Sequence, residues 1–256
     1  AAEAVEAGAA IIFVGGAIIK SADARAAAQA ITEAMATGRK VETALYKRGN
    51  EENIREILEE VSASNVSDAL HRTGEIAGLA PVSLGQRIVG EILTVRTYPG
   101  DWAKPVEAID EAGPGQVIMV DAGGVGPAVW GELATHSAIQ RGLAGVVIDG
   151  AIRDTPEIRA LEFPAFAKLR TPTAGEPKGF GEIGVPVHIG GRKVFTGDWV
   201  VGDDDGLVVI GKEKIVEYAN RAMDVLEREN RLRKEIQERS SLSAVGYLKK
   251  WEKTGK

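Results

Sequence analysis

The chain has 256 residues, a formal net charge of −6, no cysteine, and 44% hydrophobic but only 5% aromatic residues. That length suits one large domain, or one domain with an appendage; the acidic balance argues against nucleic acid, whose binding needs a basic patch. Without Cys there are no disulfides, no thiolate nucleophiles and no Cys-ligated zinc, which fits a reducing, cytoplasmic setting. The 31 glycines, set among Val, Ile and Ala, favour an α/β architecture with many tight turns. No apolar stretch is long enough to span a bilayer, so no membrane association is expected. The start, Ala1 to Val5, has neither a basic region nor a cleavage pattern nor an initiator Met. It reads as the beginning of a fragment or a processed product.

Ala9 to Val14 is a continuous apolar run, predicting a buried strand, followed by Gly15-Gly16. Ser21 to Met35 is alanine-rich and predicts a helix, with Gly38 as its C-cap. Residues 39–51 are polar and read as a linker. Ile54, Ile57, Leu58 and Val61 then fall at i, i+3, i+4 and i+7, an amphipathic helix. Another short helix is expected to begin at Ser67-Asp68-Ala69-Leu70. From Gly85 strands dominate: one or two over Arg87 to Arg96, then Gln116 to Asp121 after the turn Gly113-Pro114-Gly115. Gly123-Gly124-Val125-Gly126 leads into a helix over Trp130 to Arg141, and Gly145 to Asp149 is the next strand. Further strands are expected over Val185 to Ile189, Trp199 to Val201 and Gly206 to Ile210, the last two joined by the turn Gly202 to Gly206. The C-terminal helix starts near Lys212 with the stripe Ile215, Ala219, Ala222 and Leu226. Residues 236–256 form a charged tail.

Two loops carry candidate chemistry. In Asp149-Gly150-Ala151-Ile152-Arg153-Asp154 a strand ends in an acid, a glycine turn follows, and Arg-Asp comes next. Arg153 offers a planar fork for a substrate carboxylate. Asp154 offers hard oxygen to Mg²⁺ or Mn²⁺, which bind through few protein ligands and several waters. An isolated Arg-Asp pair is usually a surface salt bridge. The second loop, Gly123 to Gly126 with Gly131-Glu132-Leu133-Ala134 after it, has the backbone character of an anion site at a turn and helix start. A dinucleotide site is a weak rival, because Val129 stands where the third fingerprint glycine belongs. Together the loops weigh more. Residues 133–152 separate Glu132 from Arg153, and a helix plus a strand in that gap can return both to one face of a sheet. His71, His136 and His188 have no metal-ligand spacing; His136 sits one turn beyond Glu132. Lys168 is a possible Schiff-base lysine, though a solvated lysine is the commoner case.

The stretch from Gly131 through Asp154, with Val66 to Leu70 upstream and Gly197 to Gly206 downstream, resembles the RraA-like family, over roughly residues 52–235. That family includes the 4-hydroxy-4-methyl-2-oxoglutarate aldolases, whose pattern is an acid, twenty residues, then Arg-Asp. The resemblance implies a swivelling β/β/α domain and a class II pyruvate aldolase acting on 4-hydroxy-2-oxo diacids, with oxaloacetate decarboxylation as a side activity. It implies that Asp154 ligates the metal and that Arg153 holds the substrate and stabilises the enolate. Gly131, Glu132, Leu133 and Ala134 would bind the 2-oxo acid, with Glu132 acting through metal-bound water. The commoner residue at 132 is Asp. The family implies a homotrimer or hexamer in which Glu227 or Glu229 of a neighbour approaches the metal. The alternative on the same fold is a non-catalytic regulator of ribonuclease activity.

Residues 1–38 resemble the last β/α unit of 3-hexulose-6-phosphate synthase, whose glycines, here Gly15, Gly16 and Ala17, would bind a sugar phosphate. One unit cannot close a (β/α)₈ barrel, so no synthase activity is expected. The parent would be a fusion, and a role in ribulose monophosphate metabolism is a further alternative.

Overall fold

The computed structural model describes residues 2–19, 23–39, 49–239 and 241–245. It divides into two compact units, residues 1–48 and 49–256. The first holds α1 (Ala2–Glu6), α2 (Gly16–Ile19) and α3 (Ala24–Thr37). The Asp23 carboxylate caps α3 by accepting the Arg25 and Ala26 N–H groups, and Gly38 closes it at φ +68°. The strand expected over Ala9 to Val14 is absent; the segment is irregular, with Ile11 74% and Phe13 95% exposed. A buried parallel strand needs neighbours on both edges, and the described part of this unit supplies none. Most of the expected linker, 40–48, and the end of the tail, 246–256, lie outside the described residues.

The second unit has the helices α4 (Ile54–Glu60), α5 (Ala63–Ala69), α6 (Ala103–Glu111), α7 (Glu132–Gln140), α8 (Thr155–Ala160) and α9 (Ile215–Arg239). Its strands are β1 (Glu75–Ile76), β2 (Ala80–Pro81), β3 (Ile88–Thr97), β4 (Val117–Asp121), β5 (Ala128–Trp130) and β6 (Gly145–Ile152). They continue with β7 (Ala165–Arg170), β8 (Gly181–Ile183), β9 (Val187–Ile189), β10 (Arg192–Val194), β11 (Trp199–Asp203) and β12 (Gly206–Ile210). The main sheet runs β1-β12-β11-β3-β4-β6-β7-β2, with β5 on β6 and β8 on β3; β9 and β10 form a separate hairpin. The fold is thus mixed α/β.

Strands β3, β4, β6 and β7 are parallel, and every residue of β6 is buried, as a strand covered on both faces requires. One face packs Ile118, Val120, Val146, Ile148 and Ile152 under Ile109 of α6, Ala138 of α7 and Ile158 of α8. The other packs Val117, Met119, Val147 and Phe166 against Val187, Ile189 and Val194 of the hairpin. A third cluster joins Ile57, Leu58 and Val61 to Ala219 and Ala222 of α9, so the predicted stripes of α4 and α9 meet each other.

Four points differ from expectation. The helix expected to begin at Ser67 begins one turn earlier and ends at Ala69: Ser62 and Asn65 form a reciprocal capping box that starts α5 at Ala63. Trp130 closes β5, and the helix after it begins at Glu132. Gly150 is not a turn but the sixth residue of β6, because a Cβ there would come within 2.7 Å of the Ala122 Cβ on the neighbouring chain segment. Residues 236–239 of the expected tail are the last residues of α9.

Candidate functional site

Parallel strands deliver their carboxyl ends to one edge, where open α/β sheets bind ligands. The Arg153 N–H donates to the Trp130 carbonyl at 3.0 Å, which aligns the end of β6 with the end of β5. Asp154 follows in the left-handed region, φ +55° and ψ +38°, at the N-cap of α8. That conformation is uncommon outside glycine, though Asp and Asn tolerate it best. It turns the Asp154 carboxylate back across the sheet edge. There Oδ2 accepts the Glu132 N–H at 3.1 Å and lies 3.4 Å from Arg153 Nε.

Helix α7 begins without a capping side chain of its own, because its N-cap is Gly131. A Cβ at Gly131 would stand 2.5 Å from Asp154 Oδ2 and 3.1 Å from Arg153 Cγ, so a side chain there would displace the Asp154 carboxylate. The first turn is held by Thr135, which donates to the Gly131 carbonyl at 3.0 Å and accepts from Trp130 Nε1 at 2.9 Å. Asp154 takes the first amide of α7. The next two, of Leu133 and Ala134, have no intrahelical acceptor, and both residues line a cavity of about 440 Å³. Arg153, Asp154 and Gly131 line it too, facing Trp102 and Val106 of α6 and the segment Ala174-Gly175. Amide donors at a helix start beside a guanidinium form a receptor for a carboxylate.

The expected residues therefore meet at one place, with one distinction. Glu132 contributes its backbone to the cluster, while its side chain turns along α7 to His136, whose Nε2 is 3.6 Å from Glu132 Oε1. The Gly123–Gly126 turn is not an open anion nest. The Gly123 N–H goes to Asp121 Oδ1 and the Gly124 N–H to the Asp149 carbonyl, so those donors are already used. Asp149 does not end a strand facing the cavity. It is buried within β6 on the opposite sheet face, 3.3 Å from Lys168 Nζ on β7, and it accepts the Gly190 N–H. Lys168 is an ion-paired lysine on that face. Glu229 accepts from Asn65 Nδ2 at 2.9 Å within its own chain. His71 contacts Arg221, and His188 lies on β9.

Asp154 is the carboxylate of this cavity that could hold a cation. Among the described residues no group of three His, Asp or Glu side chains converges as a metal cage. One cavity-lining carboxylate, about one-third exposed, suits a hard cation that keeps most of its ligands as water or substrate oxygen.

Sequence reasoning missed the far wall. Asp101 is 2% exposed and accepts the N–H groups of Ala103, Lys178, Gly179 and Phe180 at 2.8–3.3 Å. Burial pushes its pKa up, but the four amides more than offset this and hold the carboxyl below its ordinary value. Trp102 Nε1 donates to the Gly175 carbonyl at 3.2 Å, and the Gly175 N–H donates to the Ala128 carbonyl at 3.0 Å. The 174–180 segment is thus fastened along its length. It also walls a second cavity of about 630 Å³, lined by Lys178 and the edge-to-face pair Tyr98 and Phe180. The available signal was Pro99-Gly100-Asp101-Trp102, a turn and buried acid opening α6.

Comparison with known proteins shows the family. The RraA-like profile, described as Aldolase/RraA, matches residues 63–209. An uncharacterised protein of Methanocaldococcus jannaschii is 40% identical over 184 residues, 70% of this chain and 87% of the relative. A 4-hydroxy-4-methyl-2-oxoglutarate aldolase of Thermus thermophilus is 34% identical, over 59% of this chain and 93% of the relative. The crystal structure of Streptomyces coelicolor RraAS2, described as an unusual member of the RNase ES inhibitor RraA protein family, superposes with a TM-score of 0.66 at 30% identity. That match covers 74% of this chain and 100% of the other.

Proposed function

The chain belongs to the RraA-like family, and we propose that it is a divalent-cation-dependent aldolase that releases pyruvate from 4-hydroxy-2-oxo acids. One observation carries this reading. Arg153, Asp154, Leu133 and Ala134 line the same cavity at the carboxyl edge of the sheet, and the last two are first-turn residues of α7, whose amides have no intrahelical acceptor. The 4-hydroxy-4-methyl-2-oxoglutarate in the Thermus relative's name is the first diacid to test.

The substrate carboxylate sits on the Leu133 and Ala134 amides and the Arg153 guanidinium. Asp154 would hold Mg²⁺ or Mn²⁺, which when bound supplies positive charge to the 2-oxo group as a Lewis acid. Arg153, about 40% exposed, adds a fixed cation beside the enolate that C3–C4 cleavage leaves. Glu132 takes the C4 hydroxyl proton through intervening water, with His136 Nε2 3.6 Å from its carboxylate. Trp130 and Val129, both buried, exclude bulk water from the floor. Decarboxylation of oxaloacetate passes through the same enolate and is the expected side activity.

The assembly is proposed as a homotrimer or hexamer. Glu227 and Glu229 are the two acids on α9 considered for a neighbour's site, and Glu229 accepts from Asn65 within its own chain. The likeness of residues 1–38 to 3-hexulose-6-phosphate synthase remains a proposal about ancestry and adds no activity. The test is pyruvate release from 4-hydroxy-4-methyl-2-oxoglutarate and from oxaloacetate, with Mg²⁺ and with chelator, in wild type and Asp154→Ala. Activity that survives both chelator and substitution removes Asp154 from metal binding. No release from any 2-oxo acid favours the ribonuclease-regulator reading, which the description of the Streptomyces relative supports.

A further inference from the structure

A second charged recess lies on the other face of the sheet. Asp121 of β4 is the register partner of Asp149 on β6, so its side chain shares the face of Asp149, away from α6 and α7. Arg96 of β3 is in turn the register partner of Asp121. On the hairpin, His188 of β9 stands opposite Lys193 of β10. These four side chains, with Pro186 and Val187, line a cavity of about 340 Å³ that shares no residue with the Arg153–Asp154 cavity. Two fixed cations and an imidazole thus surround one carboxylate, in a chain whose net charge is −6.

The partners of these groups show what each can still bind. Arg96 Nη2 donates to the Pro186 carbonyl at 2.9 Å, which fixes the guanidinium at the cavity wall. Its contact with Glu182, at 3.6 Å, joins two well-exposed groups and is a weak competitor. Lys193 Nζ lies 5.1 Å from the centre of the Phe195 ring, a contact that leaves its donors available to an anion. Asp121 accepts the Gly123 N–H on Oδ1 and the His188 N–H on Oδ2. That uses two of the roughly four acceptor sites of a carboxylate.

We propose that this recess binds the phosphate group of a small phosphomonoester. Arg96 and Lys193 supply charge-assisted donors, and His188 a third. Asp121 repels a fully ionised anion but accepts a hydrogen bond from one that keeps a proton. A phosphomonoester, with its second pKa at about 6, keeps a P–OH part of the time near neutrality. Sulfate keeps none, so the carboxylate selects phosphate against it. The volume falls within the range of small-molecule sites, which leaves room beside the phosphate for an organic group against Pro186. Nothing in this recess depends on the aldolase chemistry.

Calorimetric titration of the full-length native assembly at neutral pH with glycerol 3-phosphate, inorganic phosphate and sulfate tests this. Glycerol 3-phosphate is expected to bind at least as tightly as inorganic phosphate, and about ten-fold or more tighter than sulfate. Lys193→Glu, at an exposed hairpin position, should raise the Kd for glycerol 3-phosphate by about ten-fold or more. Asp121→Asn keeps an oxygen for the backbone and should erase the preference for phosphate over sulfate. Arg153→Ala should leave all three affinities unchanged. Loss of binding in Arg153→Ala but not in Lys193→Glu would place the anion in the other cavity and overturn the proposal. Sulfate binding as tightly as the phosphates, or no heat with either phosphate, overturns it too. Inorganic phosphate binding more tightly than the ester overturns the assignment to an organic phosphate.

Discussion

The Asp154 carboxylate accepts the Glu132 N–H at 3.1 Å, and through it the end of β6 fixes the start of α7. A single side chain thus caps a helix 22 residues earlier in the chain while sitting at the N-cap of its own helix. The acid and the Arg-Asp pair, distant in sequence, cannot move independently.

Three substitutions at Asp154 separate charge from backbone. Asp154→Asn tolerates φ +55° and keeps a carbonyl oxygen for the Glu132 amide. It is expected to lose roughly 100-fold or more in kcat with little change in Tm. Asp154→Ala adds a left-handed penalty of about 1 kcal/mol, and Asp154→Gly relieves it. An Asn variant with wild-type kcat in a coupled pyruvate assay would remove the carboxylate from the chemistry.

Gly131→Ala forces a methyl group to within 2.5 Å of Asp154 Oδ2. Pushing Asp154 and Arg153 apart is expected to lower stability by about 1–3 kcal/mol, read as a shift in the urea midpoint, and to lower kcat as well. Unchanged activity would mean that the two side chains need not hold this geometry.

Arg153→Lys keeps the charge and loses the planar fork. KM for the 2-oxo acid is expected to rise by about ten-fold or more, with kcat falling too because the enolate loses part of its stabilisation. A purely structural arginine would leave KM untouched once folding is confirmed by circular dichroism.

Asp101 links stability to pH. Its folded pKa lies below the ordinary value of 3.8. The stabilisation is therefore complete well above that value and is lost as pH falls through the lowered folded value. Asp101→Asn is expected to cost about 1–3 kcal/mol near neutrality, and the gap to wild type should close in acid. Urea unfolding at pH 7 and near pH 3 measures both. A gap that persists unchanged in acid would assign the loss to packing instead.

What the sequence revealed followed the strength of its periodicity. Ile54, Ile57, Leu58 and Val61 allow only one helical face, and all four are buried. The spacing of Glu132 from Arg153 likewise led to one edge of one sheet. Ala9 to Val14 misled because an apolar run records what a segment would bury, not whether neighbours exist. Gly150 misled because a glycine needed for close packing inside a strand looks the same as one needed for a turn. The far wall of the cavity was hidden for a different reason. Trp102 and Ala174 are brought together by the Trp102 Nε1 bond to the Gly175 carbonyl and the Glu176 N–H bond to the Gly100 carbonyl, each joining residues over 70 positions apart.

The fastening of the 174–180 segment has a consequence for diversification. The Asp101 carboxylate grips three peptide N–H groups of that segment and none of its side chains. Side chains there can therefore be exchanged without loosening the anchor and without touching the loop that bears Arg153 and Asp154. A library at residue 174 would vary the wall that this cavity shares with its neighbour, while residues 176 and 178 would vary the neighbouring cavity alone.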